Sequence, residues 1–204
     1  SLNTEWIFQT ACQELCKLLK LERAAIYRFN DDWSGEFIYH FGMVDTQWEN
    51  PSPFGKKLVW EDTHLQDTKG GRYRNNETFA VADIYQMGYS RCHLDILEQF
   101  KIRAYALVPI FTGAKLWGLL AAYQHSGPRQ WVAYEVEFLS QVGAQLGVAI
   151  QQAELLNQSK QQSVAFEDAI ARQRALTEVV GKIRSSLDTD IILQTTCQEV
   201  CKLL

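Results

Sequence analysis

The sequence has no apolar run approaching the roughly 20 residues that a membrane-spanning helix needs. Nor does it open with the charged-then-apolar stretch of a secretory leader. The expectation is a cytoplasmic, reducing setting without membrane contact. A basic excess is also missing. Lys and Arg total 20 against 24 Asp and Glu, a net charge of −4, so the electrostatic footprint of a nucleic-acid binder is absent. Five cysteines, an odd number at uneven spacing, make a poor disulfide framework. A chain of 204 residues can bury a core without such staples. At about 150 residues per domain, it allows one full domain with a tail or two small ones. With 47% hydrophobic and 22% charged residues it reads as globular, not disordered.

The cysteines reveal a repeat. Thr10-Ala11-Cys12-Gln13-Glu14-Leu15-Cys16-Lys17-Leu18-Leu19 returns as Thr195-Thr196-Cys197-Gln198-Glu199-Val200-Cys201-Lys202-Leu203-Leu204, 185 residues on, with eight identities in ten. The pattern that opens the first domain therefore recurs as the first helix of a second, similar one. Each Cys pair is four apart, on one helical face. A zinc site is one use of such pairs, but no His flanks either, and small buried hydrophobes are the better reading.

Residues 4–19 space Phe8, Ala11, Cys12, Leu15, Leu18 and Leu19 at three and four, the period of an amphipathic helix. Arg23 to Asn30 and Glu36 to Phe41 are rich in aromatic and β-branched residues around a polar turn, which predicts a hairpin. Ile102 to Phe111 and Leu116 to Tyr123 predict two more strands, joined at Thr112-Gly113-Ala114-Lys115. Gly127-Pro128 breaks the chain. From Trp131 the helical period returns and runs to about Arg184. A helix of that length needs a partner for its apolar stripe, and a parallel helical homodimer is expected. Ser185 to Asp190 reads as a turn. Strands followed by helices predict an α+β fold, an antiparallel sheet of about six strands covered by helices.

The stretch from Ser52 to Phe100 is too long for a bare connection, and such stretches carry binding sites. It holds Cys92-His93, a thiol beside an imidazole. On a helix the two side chains point about 100° apart, so His93 is badly placed to take the Cys92 proton. A buried Cys with an incidental His is the competing reading. Trp60-Glu61-Asp62 follows a short strand and offers a carboxylate for charge-assisted hydrogen bonds, or else a solvated end. Gly70-Gly71-Arg72-Tyr73-Arg74 offers close backbone approach and two guanidinium groups for carboxylates or phosphates, or else a solvated turn. It is not a P-loop, since the Gly and Lys spacing is wrong. Together these describe a pocket for a flat molecule with anionic groups and N–H donors.

Trp60-Glu61-Asp62-Thr63-His64-Leu65-Gln66, Gly70-Gly71-Arg72-Tyr73-Arg74, Cys92-His93-Leu94-Asp95-Ile96-Leu97-Glu98-Gln99-Phe100 and Leu116-Trp117-Gly118-Leu119-Leu120-Ala121-Ala122-Tyr123-Gln124 resemble the bilin-binding GAF domains of cyanobacteriochromes. These photoreceptors belong to the phytochrome superfamily, and the red/green subgroup is the most similar. The resemblance covers about Ser1 to Leu156. It implies a GAF fold over residues 1–156, a helical linker over 157–186 and the opening helix of a following GAF-like repeat over 187–204.

It further implies a linear tetrapyrrole, phycocyanobilin, held by a thioether from Cys92 to its A ring, with biliverdin as the alternative. His93 would lie against the ring system, and Asp62 would accept hydrogen bonds from pyrrole N–H groups. Arg72 and Arg74, with Tyr73, would hold the propionates and the pocket wall. Trp60 would pack near the D ring, and Tyr123 would line the same pocket. Tyr89 stands where many relatives carry His, at the pocket border. Light would drive Z/E isomerisation at the methine bridge between the C and D rings, from a red-absorbing dark state to a green-absorbing photoproduct. No cysteine lies between Cys16 and Cys92, so a second reversible thioether is not expected. The linker helix would signal to a downstream GAF domain and a histidine kinase or chemoreceptor output. No kinase motif is present, so an enzyme is not expected. Two other classes stand beside this one: a GAF domain for a diffusible ligand such as a cyclic nucleotide, and a cysteine enzyme on a GAF-like fold.

Overall fold

The computed structural model of the chain describes residues 4–42, 58–59, 63–186 and 189–203. Helix α1 (Thr4–Leu18) precedes strands β1 (Arg23–Phe29), β2 (Gly35–Gly42) and the short β3 (Leu58–Val59). Helix α2 (Thr63–Asp67), a 3₁₀ turn at Gly71–Asn75, β4 (Phe79–Val81), a second 3₁₀ turn at Ile84–Gln86 and helix α3 (Arg91–Gln99) follow. Strands β5 (Ala104–Thr112) and β6 (Lys115–Gln124) come next, then α4 (Ala133–Ser186) and α5 (Thr189–Leu203). The six strands form one sheet in the order β3-β2-β1-β6-β5-β4, every neighbouring pair antiparallel. The expected α+β architecture and both hairpins are therefore present.

The sheet is buried on both faces, and the period-two alternation of its strands sorts the residues. Ala24, Ile26, Val108, Ile110, Leu120 and Ala122 face Phe8, Cys12 and Leu15 of α1 and Leu139, Leu146 and Ile150 of α4. Each such side chain taken out of water contributes about 1.5–3 kcal/mol for the larger aliphatics. Cys12 and Cys16 belong to this core, as expected of small apolar residues. Burial pushes the Cys12 thiol well up and the Cys16 thiol up to about 11. Both therefore stay protonated and unreactive at neutral pH. The residues of the opposite register, Ala25, Tyr27, Tyr105, Leu119, Ala121 and Tyr123, face Phe37, Tyr73, Ile84, Leu97 and Phe100.

Two glycines allow close backbone approaches, one between neighbouring strands and one between helix and sheet. A Cβ on Gly118 would sit 2.2 Å from the carbonyl oxygen of Tyr27 on β1, and one on Gly147 would sit 2.0 Å from that of Phe111. Gly147 thus lets α4 rest directly on β5. At the N-terminal end of α4, Arg129 ties several elements together. It donates to Leu19 O at 2.6 Å, Lys20 O at 3.2 Å, Gln124 Oε1 at 3.2 Å and Glu135 Oε1 at 2.7 Å.

The chain divides into two compact units, Ser1–Glu154 and Leu155–Leu204. In the second, α4 continues to Ser186 and α5 begins at Thr189. The turn expected over Ser185 to Asp190 is thus helical at both ends, and only residues 187–188 fall outside the described chain. Leu155, Leu156, Val164, Phe166, Leu176, Val179, Val180 and Ile183 are exposed on α4. Cys197 and Cys201 are exposed as well. That corrects the expectation of a second buried pair: among the described residues of this unit no strand covers α5. Among the described residues, no helix is long and apolar enough to cross a membrane.

Candidate functional site

The long stretch before Phe100 builds one wall of a cleft whose floor is the sheet. Tyr27 of β1, Phe37 of β2, Tyr105 and Leu107 of β5, and Leu119, Ala121 and Tyr123 of β6 line it. Leu65 of α2, His93 and Leu97 of α3, and Ile102 close it. Between the described residues the cleft has a volume of about 60 Å³, below the roughly 300–1,000 Å³ common for cofactor sites. Its lining is mainly aliphatic and aromatic, and the polar groups are tyrosine hydroxyls and one imidazole.

Register explains the tyrosines. Tyr105 and Tyr123 are direct partners across β5 and β6, so their phenols emerge side by side on the cleft face. Burial pushes both hydroxyls well above the ordinary tyrosine value, and both remain hydrogen-bond donors at neutral pH. The Tyr105 hydroxyl pairs with that of Tyr89 at 2.6 Å. The Tyr89 ring stands edge-on to His93, with centroids 4.6 Å apart.

Cys92 sits in the first turn of α3, whose N-cap is Ser90. The Ser90 hydroxyl accepts from the His93 backbone N–H at 3.4 Å. The Cys92 side chain is exposed and that of His93 half-buried. The competing expectation of a buried Cys92 is therefore overturned. The angular offset between helical neighbours turns His93 into the cleft and leaves the thiol open to solvent.

Tyr73 is buried, while Arg72 and Arg74 are exposed. The turn that carries them depends on Gly70 at φ +89°. A Cβ there would approach Leu116 to 2.8 Å and the Trp33 ring to 2.9 Å. The Arg72 guanidinium lies 4.0 Å over the Phe79 ring, and that of Arg74 lies 5.7 Å from the Trp33 ring centre. The described cleft is lined by His93 and Tyr123 among the expected site residues, with Cys92 and Tyr89 next to His93. Arg72, Tyr73 and Arg74 do not line it, although Arg72 is near enough to act on the Tyr89 hydroxyl. Trp60 and Asp62 lie outside the described residues. Sequence reasoning missed Tyr105, which the alternation of β5 places in register with Tyr123. It also missed the ion pair between Asp83 and Arg103 at 2.7 Å. Among the described residues no group of three or more His, Cys, Asp or Glu could hold a metal ion.

Residues 3–150 match the family model of the GAF domain. The red light-absorbing state of NpR6012g4, a red/green cyanobacteriochrome, is 52% identical, with a TM-score of 0.67 over 76% of this chain and 97% of that one. The chain is a GAF domain of the cyanobacteriochrome kind. A second solved structure, the far-red absorbing dark state of JSC1_58120g3 with bound biliverdin IXa, is 38% identical. Its TM-score is 0.64 over 76% of this chain and 93% of that one. Among full-length relatives, a methyl-accepting chemotaxis protein of Synechocystis sp. is 34% identical over 78% of this chain. The circadian input-output histidine kinase CikA of Thermosynechococcus vestitus is 33% identical over 91% of it. The chain spans 15% and 26% of their lengths. The two solved relatives are named for the light they absorb, not for a catalysed reaction.

The GAF cleft fits a bilin on its own chemistry. Its lining is apolar, it offers aromatic faces for a conjugated ring system, and an accessible thiol stands one residue from a group inside it.

Proposed function

We propose that this GAF domain is a light sensor that binds a linear tetrapyrrole covalently through Cys92. The carrying observation is the exposed Cys92 thiol next to His93, which reaches into the cleft. A bilin bound there supplies visible absorption and photoisomerisation at the methine bridge between its C and D rings. The Cys92 thiol adds across a carbon–carbon double bond of the A-ring side chain. Sulfur bonds to one carbon, the thiol proton ends on the other, and the π bond is consumed, with no leaving group and no oxidant.

His93 and Tyr123 would pack on the rings from inside the cleft, and Trp60, outside the described residues, is assigned to the D ring. Asp62 accepts hydrogen bonds from pyrrole N–H groups and favours the protonated, cationic ring system. Arg72 and Arg74, with Tyr73, hold the propionates and the pocket wall, and Tyr89 borders the pocket. The 52% identity to a red/green cyanobacteriochrome supports a red-absorbing dark state and a green-absorbing photoproduct, and phycocyanobilin is the chromophore of this reading. Biliverdin is the alternative, favoured by the biliverdin-bound relative. The exposed apolar residues of α4 support a parallel homodimer that carries the signal along the linker. Outputs of the histidine kinase or chemotaxis type fit the two longer relatives.

The test is attachment itself. Protein produced together with phycocyanobilin and run on a denaturing gel should carry a zinc-fluorescent band, lost in Cys92→Ala. A band that persists in that variant, or its absence from the parent with both phycocyanobilin and biliverdin, overturns the assignment.

A further inference from the structure

The thiol of Cys92 is carried by a nine-residue helix, too short to be stable by itself. What holds it in place therefore decides where the sulfur stands. The inner face of α3 is seated by Leu97, with Phe100 just beyond its end. Its outer face meets a chain of polar contacts that no role in bilin binding requires. Asp83 caps the second 3₁₀ turn, accepting from the Tyr85 backbone N–H at 3.1 Å, and takes Arg103 Nη2 at 2.7 Å. The Arg103 guanidinium lies 4.6 Å over the Tyr85 ring. The turn that carries Tyr85 packs on α3, and the Glu98 carboxylate on α3 is near enough to the Tyr85 hydroxyl to push its pKa up. Glu98 takes Arg91 Nη2 at 3.2 Å, while Arg91 Nε reaches Asp95 at 2.9 Å. Arg91 is the residue before Cys92.

We propose that Arg103, paired with Asp83, is a positioning residue for covalent attachment, fixing α3 through Tyr85 and Glu98 so that the Cys92 sulfur meets the bound bilin. The inference rests on the reading of Cys92 as the anchor. Asp83 is nearly buried and its hydrogen bond from Arg103 holds its carboxyl below the ordinary value, so the pair is ionised at neutral pH. The Arg103 Nε–H is buried with no hydrogen-bond partner among the described residues. The guanidinium is thus placed to satisfy Asp83 and Tyr85 rather than all its own donors, as a group fixed by its neighbours would be. Attachment depends steeply on such placement, because bond formation needs the reacting atoms about 3–3.5 Å apart and aligned. None of these side chains lines the cleft, so their loss should leave reversible bilin binding intact.

The experiment follows adduct formation in the full chain against phycocyanobilin concentration. Asp83→Asn and Arg103→Gln should each lower the plateau rate about fivefold, an effect of the size of one net hydrogen bond. The bilin concentration giving half that rate should hold, and the double variant should be no slower than either single. Arg103→Lys should recover part of the rate. Tyr85→Phe removes only the hydroxyl from a half-exposed ring, so it keeps the fold and should show a smaller loss of the same kind. In the bilin-free protein, amide hydrogen exchange over Leu94–Gln99 should speed up in the slow variants while β1 and β6 stay as in the parent.

Variants that attach at the parental rate overturn the inference. So does a raised half-rate concentration with an unchanged plateau, and so does slow attachment with α3 exchange unaltered. A parent chain that forms no adduct overturns the anchor reading and this inference with it. A parent that attaches beside equally fast variants overturns this inference alone.

Discussion

Cys92 and Cys12 show how one side-chain type takes opposite roles. Cys12 is fully buried under the sheet and its thiol is held protonated, whereas Cys92 is open to solvent at a helix start. The helical period of α1 foretold the first. Nothing in the local sequence separates the second from a buried cysteine, and only the family resemblance did so. His93 was legible for the same reason, while Tyr105 was not, because its importance comes from being opposite Tyr123 across two strands. The Tyr89–Tyr105 hydroxyl pair carries a prediction. Either single Tyr→Phe change leaves a half-buried or buried hydroxyl without its partner and should cost about 1 kcal/mol in urea unfolding of the bilin-free protein. The double change should cost less than the two together. Additive losses would mean that the hydroxyls do not act as a pair. For Asp62, loss of the charge in Asp62→Asn should lower the chromophore pKa and bleach or blue-shift the red band. A variant titrating like the parent removes Asp62 from that role.

The strands and long helices were readable because their periods are sharp and their turns are marked. Short elements such as β4 and the two 3₁₀ turns were not, since their positions are set by contacts across the fold: β4 exists by pairing Phe79–Val81 with β5. The glycines at close backbone contacts were equally silent in the sequence. Gly118→Ala should destabilise the domain by about 1–3 kcal/mol, since its Cβ would strike backbone of β1. An unchanged denaturation midpoint would show that β1 and β6 can part without loss. Two loop carboxylates give the pH dependence. Hydrogen bonding from Arg103 holds the Asp83 carboxyl below its ordinary value. At Glu22 burial opposes the charge, but hydrogen bonds from Ser126 and the His125 backbone N–H outweigh it. Groups shifted down contribute stability that is complete above about pH 4 and lost as pH falls through their lowered values. The urea midpoint should therefore hold from pH 7 to about 5 and drop toward pH 3. Asp83→Asn should flatten that drop, and a drop of parental size in the variant would exclude Asp83 as a source.

The whole chain joins a sheet domain that closes its own core to a helical unit that does not. The exposed apolar residues of α4 beyond Glu154 leave that unit in need of cover, and the proposed homodimer would supply it. The full chain should sediment as a dimer. Leu176→Glu with Val180→Glu should return it to a monomer without altering the bilin spectrum. A parent that is monomeric at micromolar concentration would remove the linker dimer from the signalling scheme. The repeat of α1 in α5 was plain in the sequence, yet the exposure of its cysteines was not, because burial there depends on a sheet that α5 does not meet within its unit.

The most direct measurement is the red-light difference spectrum of the full chain produced together with phycocyanobilin. A dark band in the red that falls under red light as a green band rises, and returns under green light, is the expected result. A bound, covalently attached bilin whose spectrum does not change with light would leave Cys92 as an anchor but end the case for a photosensor.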